Sequence, residues 1–277
     1  VDAVCICSPS GPHGPQAAAA ARAGKHVLVE KPMALTLAEA DEAIDAARAA
    51  GVVLGAALQR RTEPAYRALH DAIADGALGR VVLASTTVPY LRTPEYFAAT
   101  PWRATWAVDG GGVLINQAIH LADLLLWMCG DVREVRASAA TVVRAIEAED
   151  TLTASLQFES GALGAIVATT GAAPGFPHRL EVYGDRGGVQ IEADAVVRWD
   201  ADAARRPAGT AAAVTAGSGS SPTGLAPDGH RRLLADFVDA VRTGREPLVS
   251  GVEGRRSLAL VLAVYEAART GRPVGPG

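Results

Sequence analysis

Short apolar runs rich in β-branched residues alternate with alanine-rich segments over the first third of the chain. The first run covers residues 1–7 and is broken only by Asp2. Such a run is typical of a strand buried on both faces of a parallel sheet. The predicted elements are strands at residues 1–7, 26–29 and 52–57 and helices at residues 15–22 and 36–50, the second opened by a capping box at Thr36 and Glu39. This alternation predicts βαβ units.

The hydrophobic pattern changes after residue 58. Strand-like segments separated by short turns predict an antiparallel meander with one polar face. The predicted elements are helices at residues 64–74, 110–129 (capped by Asp109), 229–243 and 252–270, and strands at residues 80–90, 132–143, 151–158, 162–170, 179–183 and 187–192. We therefore predict an α/β fold with a first domain at residues 1–58 and a second domain at residues 59–277, the second with a loop at residues 201–229.

Composition narrows the class of protein. The chain is 49% hydrophobic and 20% charged, so it can bury a packed core. With a net charge of -4 and no basic run, neither nucleic acid nor a membrane is an expected partner. Cys5, Cys7 and Cys129 form no C-x-x-C pair, so we expect neither a disulfide framework nor a metal site. We expect Cys5 and Cys7 to fill a strand as small apolar residues, and the protein to be cytoplasmic.

Lys31 is the first candidate for chemistry. It lies just past the predicted strand at residues 26–29, between Glu30 and Pro32. Ligands of open parallel sheets bind beyond the carboxyl ends of the strands, where a lysine can give a proton or a hydrogen bond to a substrate oxygen. Pro32 keeps the following segment out of the helical conformation. The alternative for Lys31 is an ordinary solvated surface side chain.

The second candidate is the helix predicted after three glycines at residues 110–112. Asn116 and His120 are four residues apart and share a face, and Gln117 stands beside them. Polar groups on an apolar helix need partners, which favours a polar pocket. The alternative is a histidine that is satisfied within the core. The glycines would let a backbone or a ligand approach closely.

These motifs resemble one family. The segments "CICSPSGPHGPQAAAAARAGKHVLVEKPMALT" and "GGGVLINQAIHLADLLLWMCGD" are similar to the glucose-fructose oxidoreductase / inositol dehydrogenase / MocA (Gfo/Idh/MocA) family. The similarity continues in "QRR" at residues 59–61, "EVYGDRGGVQIE" at residues 181–192 and "HRRLLADFVDAVRTGREP" from His230. It covers essentially the whole chain, and the two main motifs together are quite specific.

The resemblance implies an NAD- or NADP-dependent dehydrogenase of a sugar, sugar derivative or cyclitol. It implies half of a Rossmann sheet followed by a domain with a large open antiparallel sheet, whose uncovered face would form a homodimer or homotetramer. The resemblance thus implies that the first domain is a truncated dinucleotide-binding domain and the second a substrate and oligomerisation domain. Lys31 and His120 would be the proton-transfer residues, and Asn116 stands where many members carry aspartate. The implied cofactor residues are Ser8, Pro9, His13, Glu30, Lys31, Pro32 and Gln59, and the implied substrate residues are Asn116, Gln117, Trp102 and Arg103.

The resemblance also bears on the start of the chain. No glycine-rich phosphate loop precedes Val1, and the family's phosphate loop belongs to its first three strands. Because a βαβ unit needs about 30 residues or more, we expect roughly 60 residues to be absent upstream. Two other functions stay open. The chain could be a glycosidase that oxidises its sugar transiently with bound NAD, or a non-catalytic module without cofactor binding.

Overall fold

The computed structural model describes residues 1–201, 206–207 and 228–277 of the chain. Most of the predicted loop at residues 201–229 lies outside these ranges. The described strands are β1 Ala3–Ile6, β2 His26–Val29, β3 Leu54–Ala56, β4 Val81–Pro89, β5 Val132–Ala140, β6 Thr151–Phe158, β7 Leu163–Thr169, β8 Arg179–Gly184, β9 Gly188–Glu192 and β10 Ala195–Asp200. The described helices are α1 His13–Arg22, α2 Leu37–Ala50, α3 Pro64–Ala74, α4 Pro94–Ala98, α5 Ile119–Cys129, α6 Asp228–Thr243 and α7 Gly251–Thr270.

The first part of the chain forms the predicted parallel sheet, in the order β1-β2-β3. The predicted capping box opens α2, because Thr36 Oγ1 accepts a hydrogen bond from Glu39 N and Glu39 Oε2 accepts one from Thr36 N. Gly51 ends the helix in the left-handed conformation, at φ 64°. These local signals therefore fix the crossover from β2 to β3.

The first strand is not buried on both faces, and that expectation is wrong. β1 is the outer strand of its sheet, and only Ile6 within it is buried. Cys5 and Cys7 are exposed and unpaired rather than packed as small apolar residues. An edge strand has one row of unpaired backbone groups and fewer neighbours across it, so its side chains stay accessible.

The second sheet has the strand order β10-β9-β8-β4-β7-β6-β5. Most neighbours pair antiparallel as predicted, but β4 and β7 pair parallel at its centre. β10 was not predicted from the sequence. Ala193 and Asp194 make the tight turn before it at φ 48° and 66°, without the glycine or asparagine that usually marks such a turn.

One face of the second sheet packs on α5 and α7, and within the described ranges the opposite face carries exposed apolar side chains. On the covered face Leu156, Ile166 and Val182 are buried. On the open face Leu83 of β4 lies beside Leu163 of β7, at 44% and 55% exposure. The alternation along the strands thus produces the predicted uncovered face. No helix within the described ranges is both long and apolar enough to cross a bilayer.

The two sheets meet at a short 3-10 turn, Gln59–Thr62, where a charged group is buried. Arg61 donates through Nε and Nη2 to both carboxylate oxygens of Asp123 on α5, at 2.9 and 2.6 Å, and through Nη1 to Glu253 on α7, at 2.6 Å. Ser257 Oγ donates to Asp123 Oδ1 at 2.6 Å. The guanidinium therefore joins the turn that follows the first sheet to α5 and α7.

Removing the carboxylate of Asp123 should destabilise the fold strongly. In Asp123→Ala the buried guanidinium loses its bidentate partner, and breaking such a pair costs about 3–5 kcal/mol. We expect the free energy of unfolding, measured with urea, to fall by about that amount. Asp45→Ala removes an exposed pair with Arg48 and should leave unfolding unchanged. Equal effects of the two variants would contradict the central role of this ion pair.

Candidate active site

A cavity of about 230 Å³ lies at the edge where the parallel strands β1 and β2 end. Ser8 follows β1 directly, and Glu30 and Lys31 follow β2, so parallel pairing brings them to one edge. Seven residues predicted from the sequence line the cavity together with three that were not: Ser8, His13, Glu30, Lys31, Trp102, Arg103 and Asn116, and in addition Ser10, Tyr96 and Asp109. The fold thus gathers residues that are distant in the sequence.

Lys31 faces the start of the helical segment that contains Asn116. Its Nζ donates to the main-chain oxygen of Asn116 at 2.9 Å. Burial lowers the pKa of the Lys31 amine, while the charges of Glu30 and Asp109 act in the opposite direction. Lys31 is therefore not an ordinary solvated surface side chain. Its amine is held by a protein acceptor, and its pKa lies below the usual value.

Asp109 was predicted to cap the helix after residue 110, and that prediction is wrong. Its Oδ2 instead accepts hydrogen bonds from Ala104 N and Asn116 Nδ2, both at 2.8 Å. The cap comes from Glu149, whose carboxylate accepts from Gly112 N and Leu114 N at 2.9 Å each. The helical segment also begins later than predicted, with a π-helical turn at Leu114–Ala118 before α5.

The three glycines serve contacts within the protein. A Cβ on Gly111 would overlap the ring of Tyr265, and one on Gly112 would overlap the main chain of Glu149. Tyr265 Oη also donates to Glu149 Oε1 at 2.9 Å. The close approach expected from the sequence therefore occurs, but the partners are α7 and the segment before β6. The glycines let Glu149 reach the amides that it caps.

His120 lies on the first turn of α5, one helical turn before Asp123. Its Nδ1 is buried and has no hydrogen-bond partner among the described residues. Burial lowers the pKa of His120 well below its usual value, and the positive charges of Lys31 and Arg60 add to that effect. The imidazole is therefore neutral, and no group in the described part of the chain satisfies its Nδ1. It is not a satisfied core histidine.

A buried polar cluster lies close enough to His120 for its charges to affect the pKa of that residue. Arg60 Nη1 contacts His178 Nε2 at 2.9 Å and forms an ion pair with Asp194 from the β9–β10 turn. His178 Nε2 also lies 3.0 Å from Asp194, and Tyr90 Oη lies 2.8 Å from His178 Nδ1. The tip of a hairpin thereby reaches the segment next to the first domain.

The remaining predicted cofactor residues surround the turn after β1. The His13 ring nitrogens lie 2.7 Å from Pro32 O and 2.8 Å from Ser8 O, so this buried imidazole bridges the two strand ends. Ser8 Oγ donates to Pro9 O at 3.3 Å. The Lys31–Pro32 peptide is cis. This geometry gives His13 a structural part in shaping the cavity edge.

Glu30 is paired with a residue that the sequence pattern had not singled out. His230 Nε2 of α6 lies 3.5 Å from Glu30 Oε1. Burial acts to raise the pKa of Glu30, but the hydrogen bond with His230 and the charge of Lys31 outweigh it, and the pKa lies below its usual value. Glu30 is therefore a carboxylate at neutral pH.

Trp102 and Arg103 lie on the loop after α4, which forms the outer wall. The Arg103 guanidinium sits 4.2 Å from the ring centre of Tyr96 and donates to its main-chain oxygen at 2.7 Å. Five of the predicted residues do not line this cavity: Pro9, Pro32, Gln59, Gln117 and His120. Gln59 is buried and its Oε1 has no partner among the described residues, while Gln117 is half-buried.

Comparison with known proteins identifies the family. Residues 1–58 match the family model described as oxidoreductase family, NAD-binding Rossmann fold, and residues 66–190 match the GFO/IDH/MocA C-terminal domain. The 1,5-anhydro-D-fructose reductase of Ensifer adhaerens is 35% identical over 98% of this chain and 79% of its own length.

The chain belongs to the Gfo/Idh/MocA oxidoreductase family. Another member, the myo-inositol 2-dehydrogenase of Thermotoga maritima, is 29% identical over 99% of this chain and 79% of its own length. Among solved structures, the WlbA dehydrogenase from Bordetella pertussis, in complex with NADH and UDP-GlcNAcA, has a TM-score of 0.86 at 34% identity. That match covers 99% of this chain and 79% of the other.

Family membership confirms the predicted enzyme class, the nicotinamide cofactor and the fold class. The Gfo/Idh/MocA family is one of NAD-binding oxidoreductases, and the related enzymes named above act on a sugar and on a cyclitol. In this chain the residues at the ends of β1 and β2 fit such a cofactor. Two buried atoms, Asp109 Oδ1 and His120 Nδ1, have no hydrogen-bond partner among the described residues, and a bound ligand would satisfy them.

His120 should make the stability of this Gfo/Idh/MocA enzyme depend on pH. The unfolded chain has a histidine pKa of about 6.5, whereas the folded value is lower, so the unfolded state binds more protons as the pH falls through about 6.5. Stability contributed by neutral His120 is therefore lost on acidification. In His120→Gln the urea midpoint should fall less between about pH 7.5 and pH 5.5 than in the parent.

The matched control is His70→Gln, a half-exposed histidine that stacks on Trp127. It should keep the pH dependence of the parent. If the urea midpoint of His120→Gln changed with pH as much as that of the parent, the conclusion that His120 is buried and neutral would be wrong.

Proposed function

We propose that this protein is an NAD-dependent dehydrogenase that oxidises a hydroxyl group of a sugar, sugar derivative or cyclitol, or reduces the corresponding carbonyl. The observation that carries the proposal is the Lys31 amine, which donates to Asn116 O at 2.9 Å in one cavity with Asp109 and Asn116. The named substrates of related enzymes support the substrate class.

When bound, the nicotinamide supplies or accepts the hydride. The chain's own residues handle the hydroxyl proton. In the oxidation direction Lys31 Nζ, held by its bond to Asn116 O, takes the proton of the reacting hydroxyl, and burial favours the neutral amine that this step requires. The orphaned Nδ1 of His120 offers a second hydrogen bond to the substrate oxygen.

The other predicted residues are given supporting roles in the same proposal. Ser8, Pro9, His13, Glu30, Pro32 and Gln59 would hold the cofactor at the ends of β1 and β2. Trp102, Arg103, Asn116 and Gln117 would contact the substrate. The aromatic and guanidinium faces of Tyr96 and Arg103 suit the alternating apolar and hydroxyl surfaces of a sugar ring.

Lys31 provides the direct test in the complete protein. Lys31→Met should lower kcat/KM for the best substrate of a polyol panel by at least about a hundredfold, the low end for a positioned acid/base group. Lys31→Arg keeps the positive charge but cannot give up its proton, so it should fail as well. The rate is followed as NADH formation.

The chain contains one other lysine, Lys25, at the opposite end of β2. Lys25→Met is the matched control and should retain the parent activity. Near-normal turnover of Lys31→Met would remove Lys31 from the chemistry. Release of a free sugar without net NADH would instead indicate the glycosidase reaction.

The open sheet face supports a second proposal, that two copies of the chain associate through it. Leu83, Leu163 and Val167 lie together on this face at 42–55% exposure. Contiguous exposed apolar side chains mark interaction surfaces, and a two-fold interface pairs the same patch on both copies.

Val167→Glu should therefore weaken self-association of the complete protein. The variant places a carboxylate without a partner in the apolar interface of both copies, and we expect the dissociation constant to rise at least about tenfold. Sedimentation over a concentration series measures it. Val142→Glu, at an exposed valine past the end of β5, should have no effect. A parent protein that sediments as a monomer at micromolar concentration would refute the proposal.

A further inference from the structure

Asp109 is held in one orientation by two hydrogen bonds to the same oxygen. Its side chain is buried, with 2% of the residue exposed, and its Oδ2 accepts from Ala104 N and Asn116 Nδ2. Its own N–H donates to Thr105 O at 3.1 Å. The carboxylate cannot rotate freely without losing both bonds, so the direction of Oδ1 is fixed as well.

The second carboxylate oxygen of Asp109, Oδ1, differs from Oδ2 in its hydrogen bonding. Asp109 Oδ1 is buried and has no hydrogen-bond partner among the described residues. Asp109 also lines the cavity that contains Lys31. An unsatisfied buried carboxylate oxygen is costly, more so than a neutral group. Such an acceptor at a cavity wall is explained if a ligand donates to it.

We propose that Asp109 is a substrate-binding residue whose Oδ1 accepts a hydrogen bond from a hydroxyl group of the substrate. This inference rests on the proposed function and specifies the ligand further, because an acceptor-only group selects a hydroxyl donor. Lys31 donates to or accepts from one substrate hydroxyl, and Asp109 receives another hydrogen bond within the same small cavity.

The position of Asn116 fits this assignment. Its side chain is an amide that donates through Nδ2 to Asp109 Oδ2 at 2.8 Å. Burial raises the pKa of Asp109, and the hydrogen bonds from Ala104 N and Asn116 act against that rise. The site thus holds its carboxyl group at residue 109, and Asn116 positions it.

The substitution Asp109→Asn separates a substrate contact from a structural role. The amide oxygen can occupy the Oδ2 position and keep both hydrogen bonds, from Ala104 N and Asn116 Nδ2. The amide nitrogen then replaces Oδ1, so a donor faces the cavity where an acceptor stood. A residue that matters only for structure would tolerate this change.

The experiment is a cycle between this variant and monodeoxy analogues of the best substrate, with the complete protein and NAD. Asp109→Asn should keep the parent unfolding temperature and lower kcat/KM about ten- to a hundredfold, the value of a hydrogen bond to a charged group. With the parent enzyme, one deoxy analogue should have a kcat/KM lower than that of the full substrate by the same factor. With Asp109→Asn, that analogue and the full substrate should have equal kcat/KM. That analogue identifies the hydroxyl.

Three outcomes decide against the inference, and they differ from one another. Unchanged kcat/KM in Asp109→Asn, or additive losses for every analogue, would show that Oδ1 contacts no substrate hydroxyl. No NAD-linked turnover of any polyol by the parent would overturn the proposed function and this assignment with it. If Asp109→Asn unfolded at a markedly lower temperature, Asp109→Ser would take its place in the cycle under the same criteria. Asp45→Asn is the surface control.

Discussion

The buried pairing of Arg61 with Asp123 and Glu253 determines how the two sheets meet. A guanidinium at this depth requires partners for its charge, and removing one leaves an uncompensated buried ion. Asp123 lies one turn after His120 on α5, and Arg61 directly follows Arg60. The ion pair therefore fixes the position of α5, which carries His120, relative to the turn that follows the first sheet. Lys31 lies at the end of β2 in that sheet.

Signals within a few residues of each other allowed much of the fold to be predicted. Thr36 and Glu39 specify the start of α2 through their own hydrogen bonds, and the predicted bounds of α3 and β6 agree with the structure. Pairings between distant segments were not predictable in this way. The parallel pairing of β4 with β7 depends on which strands become neighbours, and no local pattern encodes that choice.

The same division applies to the candidate site. Lys31 and Asn116 could be found because each lies in a short motif with a recognisable spacing. The role of Asp109 could not, because its neighbour Gly110 suggested a helix start, whereas the capping carboxylate is that of Glu149, far along the chain. The sequence showed only an acidic residue immediately before three glycines. That Asp109 does not cap the helix follows from the hydrogen bonds that Glu149 accepts from Gly112 N and Leu114 N.

Every basic side chain of this protein other than Lys25 and Lys31 is an arginine or a histidine. Guanidinium groups stay charged at any pH at which a protein is folded, so Arg60 and Arg103 impose a field that does not vary with pH. Lys31 is different, because its amine can also exist as a free base, and burial favours that form over the ammonium ion. The cavity therefore combines fixed guanidinium charge with one amine whose charge depends on its surroundings.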